Sequence, residues 1–282
     1  MTLSITPLTD TIGAELSGVN LAGDLSDDTQ QAIYQAWVDN IVLVIRNQDL
    51  TPAQFVASAA IFGPIKQQNL DSFAVPEFPE INVVSSEDRN TDGTFYMRGV
   101  SWHSDHSYTE TPPKATILYG IDIPSRGGDT QFCDMRAAYE ALPEAENARL
   151  ERLDVLHVYE SSRSPRPMIG RSEAEAERYP GDTVHPLIRT NPDTGRKAIY
   201  HNPVRAERVL DLDPEDSAAV LDGLAAHATQ EKFQYRHKWR KGDFVIWDNR
   251  CAMHQANRDY PANERRYLHR LMIEGERPVL TP

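Results

Sequence analysis

The apolar positions of the chain fall into short blocks of two periods. Ile41-Val42-Leu43-Val44-Ile45 is an unbroken run rich in β-branched residues, the pattern of a buried strand. Ile33 and Trp37 stand four apart just before it, on one face of a helix that Ser26 can cap. Thr51-Pro52-Ala53-Gln54 is a capping box with proline at the first helical position, and Gly63-Pro64 should stop the helix it starts. The first third therefore reads as α/β. Residues 65–100 carry few regular signals apart from Glu80-Ile81-Asn82-Val83-Val84, and Asn90-Thr91-Asp92-Gly93 reads as a turn. Ala115-Thr116-Ile117-Leu118-Tyr119-Gly120-Ile121 is the next strong strand. Gly127-Gly128-Asp129-Thr130 turns the chain into Gln131-Phe132-Cys133; Asp134 can cap a helix through Leu142, and Pro143 can start another that ends before Val155.

Residues 161–183 are polar and loop-like, with Arg163, Arg166 and Arg171. A hairpin is predicted from His185-Pro186-Leu187-Ile188-Arg189, around Asp193-Thr194-Gly195, to Lys197-Ala198-Ile199-Tyr200. Asp213-Pro214 opens a helix carrying Val220, Leu221 and Leu224, and strands follow at Phe233-Gln234-Tyr235-Arg236-His237, at 243–248 and at 266–273. This pattern predicts a mainly β fold with flanking helices, a two-sheet jelly roll or double-stranded β-helix barrel. A single domain over 1–282 is expected, with a lid-like loop near 65–100 and an insertion near 160–230.

Composition narrows the class. A chain of 282 residues, 40% hydrophobic, is long enough to bury a sizeable core. The net charge of −13 argues against nucleic acid or an anionic membrane as a partner. Cys133 and Cys251 lack any C-x-x-C spacing and read as buried reduced thiols, which suits a reducing compartment. The start, Met1-Thr2-Leu3-Ser4-Ile5-Thr6-Pro7, has no basic segment followed by an apolar one, and no run of about 18 apolar residues occurs. The expectation is a cytoplasmic protein.

The chemistry concentrates at Trp102-His103-Ser104-Asp105. On a strand, His103 and Asp105 project to the same face, and His106 would face away. His254 follows the strand-like run 243–248. Two imidazoles and a carboxylate are the donor set that holds non-haem Fe(II) with open positions. In the last strand, Arg266, Leu268, Arg270 and Met272 share one face, and Tyr267, His269, Leu271 and Ile273 the other. Both faces are mixed, so periodicity leaves open which points inward. Inward arginines about 13 Å apart would bind anions or else pair with Asp or Glu in a structural network. His157, His185, His201, His227, His237 and His269 lack ligand-like spacing and read as structural or surface. Trp102 should pack beneath the motif, and Tyr108 is left without a role.

The chain resembles the taurine / 2,4-dichlorophenoxyacetate dioxygenase family of Fe(II)- and 2-oxoglutarate-dependent oxygenases. The resemblance rests on the 102–105 motif, Glu110-Thr111-Pro112-Pro113, Gly127-Gly128-Asp129-Thr130, Gly195-Arg196-Lys197, Trp247-Asp248-Asn249-Arg250-Cys251 through His254, and Arg265-Arg266 with His269-Arg270. It implies iron ligation by His103, Asp105 and His254, with O2 and 2-oxoglutarate as co-substrates. It further implies that Thr130 and Arg266 hold the distal carboxylate of 2-oxoglutarate, and that Arg270 faces the substrate's acidic group. An extra residue in the 259–263 turn leaves Arg265 competing with Arg266; strand alternation selects Arg266, which shares a face with Arg270. A dimer or tetramer is implied as well.

Departures from taurine-specific members lie at Ile65-Lys66-Gln67-Gln68-Asn69-Leu70 and at Val204-Arg205. They point away from taurine and towards another small organic acid, such as an aryloxyalkanoate, another sulfonate or an alkyl sulfate. Two other readings stay open on the residues alone: a zinc-dependent hydrolase on the same His2Asp site, and a catalytically silent acid-binding protein.

Overall fold

The computed structural model describes residues 3–68, 70–89, 93, 98–165, 170–178 and 181–281. The turn expected at 90–92 and the loop position Arg166 lie outside them. In chain order the elements are β1 (Ser4–Pro7), β2 (Ala14–Ser17), α1 (Asp27–Asn40), β3 (Val42–Ile45), α2 (Pro52–Ala59), β4 (Ala74–Val75), β5 (Phe78–Ser85), β6 (Ala115–Asp122) and β7 (Thr130–Asp134). Then come α3 (Met135–Glu140), α4 (Glu144–Leu150), β8 (Asp154–His157), α5 (Glu173–Arg178), β9 (Thr183–Pro186), β10 (Ile188–Thr190), β11 (Lys197–Ile199) and β12 (Ala206–Val209). The chain closes with α6 (Pro214–Ala228), β13 (Gln234–His237), β14 (Phe244–Asp248), β15 (Ala252–Ala256) and β16 (Tyr267–Ile273).

An eight-stranded sheet in the order β1-β2-β3-β14-β6-β16-β5-β4 faces a three-stranded sheet, β13-β7-β15. This is the expected jelly roll. The large sheet is apolar on both faces because each face has a cover. Val42, Val44, Val245, Trp247 and Leu268 point into the barrel. Their neighbours Leu43, Ile45, Phe244, Ile246 and Leu271 pack under α1 and α2 with Trp37 and Phe55. Each such buried side chain contributes about 1.5–3 kcal/mol. Double coverage is why alternation could not orient the last strand.

Local signals hold where they are strongest. Ser26 caps α1, and the Thr51–Gln54 capping box starts α2. The last turn of α2 tightens over Ala60–Phe62 and ends at Gly63, whose φ is 126°. Other expectations are corrected. The strand signal at 80–84 belongs to β5, which starts earlier, at Phe78, and pairs with β16 inside the large sheet. The hairpin is shorter than expected, β10 with β11, because His185 and Pro186 pair with β8 instead. The polar stretch before it holds α5, and β1, β2, β8 and β12 carried no recognised signal.

Candidate active site

His103 does not sit on a continuing strand. It bridges His254, each backbone N–H donating to the other's carbonyl at 3.0 and 2.8 Å. The chain then turns, with His106 in the left-handed region at φ 49° and Thr109 N donating to His106 O. The side chains of His103 and Asp105 converge through this bridge and turn, not through strand alternation. His103, Asp105 and His254, all buried, offer ligand atoms within 4.8 Å of one another. His103 Nε2 lies 3.8 Å from Asp105 Oδ1, and His254 Nε2 lies 3.9 Å from Asp105 Oδ2. His103 Nδ1 meets the Ser101 carbonyl at 2.8 Å, which assigns the proton to Nδ1 and leaves the Nε2 lone pair for a metal. Burial raises the Asp105 carboxyl, but the charges of His254, Arg270 and His103 outweigh it and hold the group well below the usual carboxylate range. Two imidazole nitrogens and an anionic oxygen at this spacing fit Fe(II).

The triad borders a cavity of about 60 Å3 that Thr130, Arg266 and Arg270 also line. All six residues singled out in the sequence therefore meet at one place. Arg266 Nε donates to Gly128 O at 2.7 Å and Nη2 to Thr130 Oγ1 at 3.4 Å. Thr130 Oγ1 also accepts from Trp239 Nε1 at 2.9 Å, so its own proton is left to donate. Arg270 donates to Gln68 Oε1 and Asn82 Oδ1 at 3.0 and 3.3 Å, and its Nε is buried with no partner among the described residues. Burial pushes both guanidiniums down to about 10, still protonated at neutral pH. Among the described residues neither forms an ion pair with a carboxylate, in contrast to Arg265, which pairs with Glu87 at 3.0 Å on the surface. Two buried cations left open in this way suit anionic ligands, not a structural ion network.

Several neighbours were not foreseen. Arg98 lines the cavity, bonds Asp88 Oδ2 at 3.0 Å and lies 4.1 Å over the Phe73 ring. His106, expected to face away, lies within electrostatic reach of Asp105 and Arg270; burial chiefly pushes it down to about 3. Trp102 packs against the barrel core as expected. His157, His185 and His201 are buried, His157 bonding Ser107 and His185 the Thr109 carbonyl, and His237 bonds Asp243.

A jelly roll with this donor set at its mouth is the frame of a mononuclear non-haem oxygenase. Residues 4–272 match the model of the family described as taurine catabolism dioxygenase TauD, TfdA family. Pentalenolactone F synthase of Streptomyces arenae is 35% identical over 292 residues, covering 98% of this chain and 97% of the relative. The α-ketoglutarate-dependent 2,4-dichlorophenoxyacetate dioxygenase of Cupriavidus pinatubonensis is 34% identical over 285 residues, covering 96% and 97%. Among solved structures, a taurine dioxygenase from Burkholderia xenovorans superposes with a TM-score of 0.84 at 31% identity, covering 98% of this chain and 91% of that one. The chain belongs to the TauD/TfdA family. It is an oxidoreductase of the α-ketoglutarate (2-oxoglutarate)-dependent dioxygenase class, using Fe(II), 2-oxoglutarate and O2. That class displaces the zinc-dependent hydrolase and the silent acid-binding readings. No helix among the described residues is long and apolar enough to cross a membrane.

Proposed function

We propose that the protein oxidises a C–H bond of a small organic acid, with His103, Asp105 and His254 holding Fe(II), Thr130 and Arg266 binding the distal carboxylate of 2-oxoglutarate, and Arg270 binding the acid of the substrate. The observation that carries this reading is the pair of buried guanidiniums, open to anions, on the wall that the three donors share. Bound Fe(II), with 2-oxoglutarate and O2, supplies the oxidising power, and succinate and CO2 are released. The chain's own part is positioning. The Arg266 fork and the Thr130 hydroxyl converge on one carboxylate; Arg270 fixes the substrate by its charged end. Val84, Leu118, Trp247 and Ala256 supply apolar wall beside the guanidinium of Arg98.

The substrate class we favour is an aryloxyalkanoate, a sulfonate other than taurine, or an alkyl sulfate. The relative named for 2,4-dichlorophenoxyacetate and the departures at 65–70 and at Val204 and Arg205 support it. Hydroxylation beside an ether or ester oxygen gives an unstable product that cleaves. A panel of organic acids tests this by oxygen uptake with Fe(II) and 2-oxoglutarate, with succinate measured in parallel. Acid-dependent uptake is expected, and loss of succinate in His103→Ala and Asp105→Ala. Full activity in either variant would rule out the triad. We further propose a cytoplasmic homodimer or homotetramer with neither nucleic acid nor membrane as partner. The net charge of −13 and the two free buried cysteines support this setting, and light scattering on the purified chain reads the assembly.

A further inference from the structure

We propose that Thr116 is the positioning residue of Asp105, standing at the end of a one-way hydrogen-bond relay that begins at the Trp247 indole. The inference rests on the metal-site reading above and concerns how its carboxylate is held. Trp247 Nε1 donates to Asn249 Oδ1 at 3.0 Å. Asn249 Nδ2 donates to Thr116 Oγ1 at 2.9 Å, and Thr116 Oγ1 donates to Asp105 Oδ2 at 2.6 Å. All four side chains are buried, so bulk water does not compete for these bonds.

The direction of the relay is forced by donor chemistry. An indole N–H can only donate, so Asn249 must turn its oxygen towards Trp247. Its amide N–H then points at Thr116, whose oxygen accepts it. The single hydroxyl proton of Thr116 is left for Asp105. An ionised carboxylate can only accept, so the far end of the relay demands the same polarity.

The fold explains why Asp105 needs such support. His103 and His254 are tied by their reciprocal backbone bonds. Asp105 lies in a turn, outside any strand ladder, so its backbone alone does not fix the carboxylate. The support comes from the large sheet, where Thr116 on β6 is the register partner of Trp247 on β14. Ser104 Oγ also donates to Asn249 O at 2.9 Å and ties the turn to the same residue. The Trp247 ring lies 4.5 Å from the His254 ring, so one indole contacts one imidazole and reaches the carboxylate through the relay. With Oδ2 engaged by a hydroxyl, the carboxylate is held to one orientation, and ligation through both oxygens is opposed.

Anaerobic titration of the metal-free full-length chain with Mn(II), followed by the electron paramagnetic resonance of the free ion, tests the relay. Thr116→Val keeps the shape and removes the proton; it should weaken Mn(II) binding by about 10–100-fold. Thr116→Ser keeps the hydroxyl and should stay within about threefold of the parent. Asn249→Asp places a second carboxylate in competition for the Thr116 proton and should weaken binding as Thr116→Val does. In turnover, Thr116→Val should form succinate in excess over oxidised substrate. Parent-like Mn(II) affinity in a folded Thr116→Val, or equal loss in Thr116→Ser, would overturn the relay. If Thr116→Val does not fold, the contrast between Asn249→Asp and Thr116→Ser decides by the same criterion. A parent that binds Mn(II) no better than His103→Ala would instead sink the metal-site reading, and the relay with it.

Discussion

Single positions in this protein are best read by asking which buried charges lack an internal partner. Arg266 is buried and Arg270 half-buried with its Nε shut off from solvent; both are protonated, yet neither forms an ion pair with a described carboxylate. Such groups destabilise the empty protein and become favourable when an anion arrives. Arg270 also faces Asp105, whose ionised form it stabilises, so Arg270→Met should leave the Tm of the ligand-free protein within about 2 °C of the parent while weakening saturation by the acidic substrate. Arg266→Met should instead weaken saturation by the co-substrate 2-oxoglutarate tenfold or more, with the acidic substrate much less affected. Differential scanning fluorimetry reads the first effect, and initial rates against each ligand in turn give the two KM values. The reverse KM pattern would exchange the two roles.

At the scale of elements, the turn before β7 matters most. Gly127 and Gly128 take φ of 69° and 71°, a region that side chains rarely adopt. A Cβ on Gly128 would lie 3.1 Å from Arg266 Cδ, and the carbonyl of Gly128 is the acceptor that holds Arg266 Nε. Gly128→Ala should cost about 1–2 kcal/mol in backbone strain. In initial-rate measurements it should also raise the co-substrate KM more than the KM of the acidic substrate. Helix α2 gives the contrasting case. It covers the outer face of the large sheet, away from the cavity. Thr51→Ala removes the capping box and should lower stability by about 1 kcal/mol, seen as a lower urea midpoint, with kcat unchanged.

The whole molecule carries a pH signature in its buried imidazoles. Burial pushes His185 and His269 down to about 4 and His201 to about 3, and it also lowers His157. Between these values and 6.5 the unfolded chain binds protons that the folded chain refuses. Stability is thus complete above pH 6.5 and falls as the pH drops towards 4, at about 1.4 kcal/mol per pH unit for each such group. Urea midpoints at pH 7.5 and pH 5.0 should differ accordingly; equal midpoints would show that these rings are not buried neutral. Saturating 2-oxoglutarate with metal should shift the whole curve upward, by about 2.7 kcal/mol at one hundred times its Kd.

The strands at 42–45, 115–122, 244–248 and 267–273, the caps at Ser26 and Thr51, and the His-x-Asp pair at 103 and 105 were legible in the sequence; Thr130, Arg266 and Arg270 were named through the family resemblance, and the structure brings them to the same cavity wall. Each legible feature depends on residues a few positions apart or on a motif whose spacing is itself the signal. Which face of the last strand looks inward was not legible, because helices cover one side of the large sheet and the barrel interior lies on the other. The turn at Asp105, the place of Arg98 on the cavity wall and the support from Thr116 and Asn249 were not legible either. Thr116 and Asn249 are 133 residues apart and meet only through the register of β6 against β14. Local chemistry named the groups; long-range strand pairing decided which of them touch and how they are aimed.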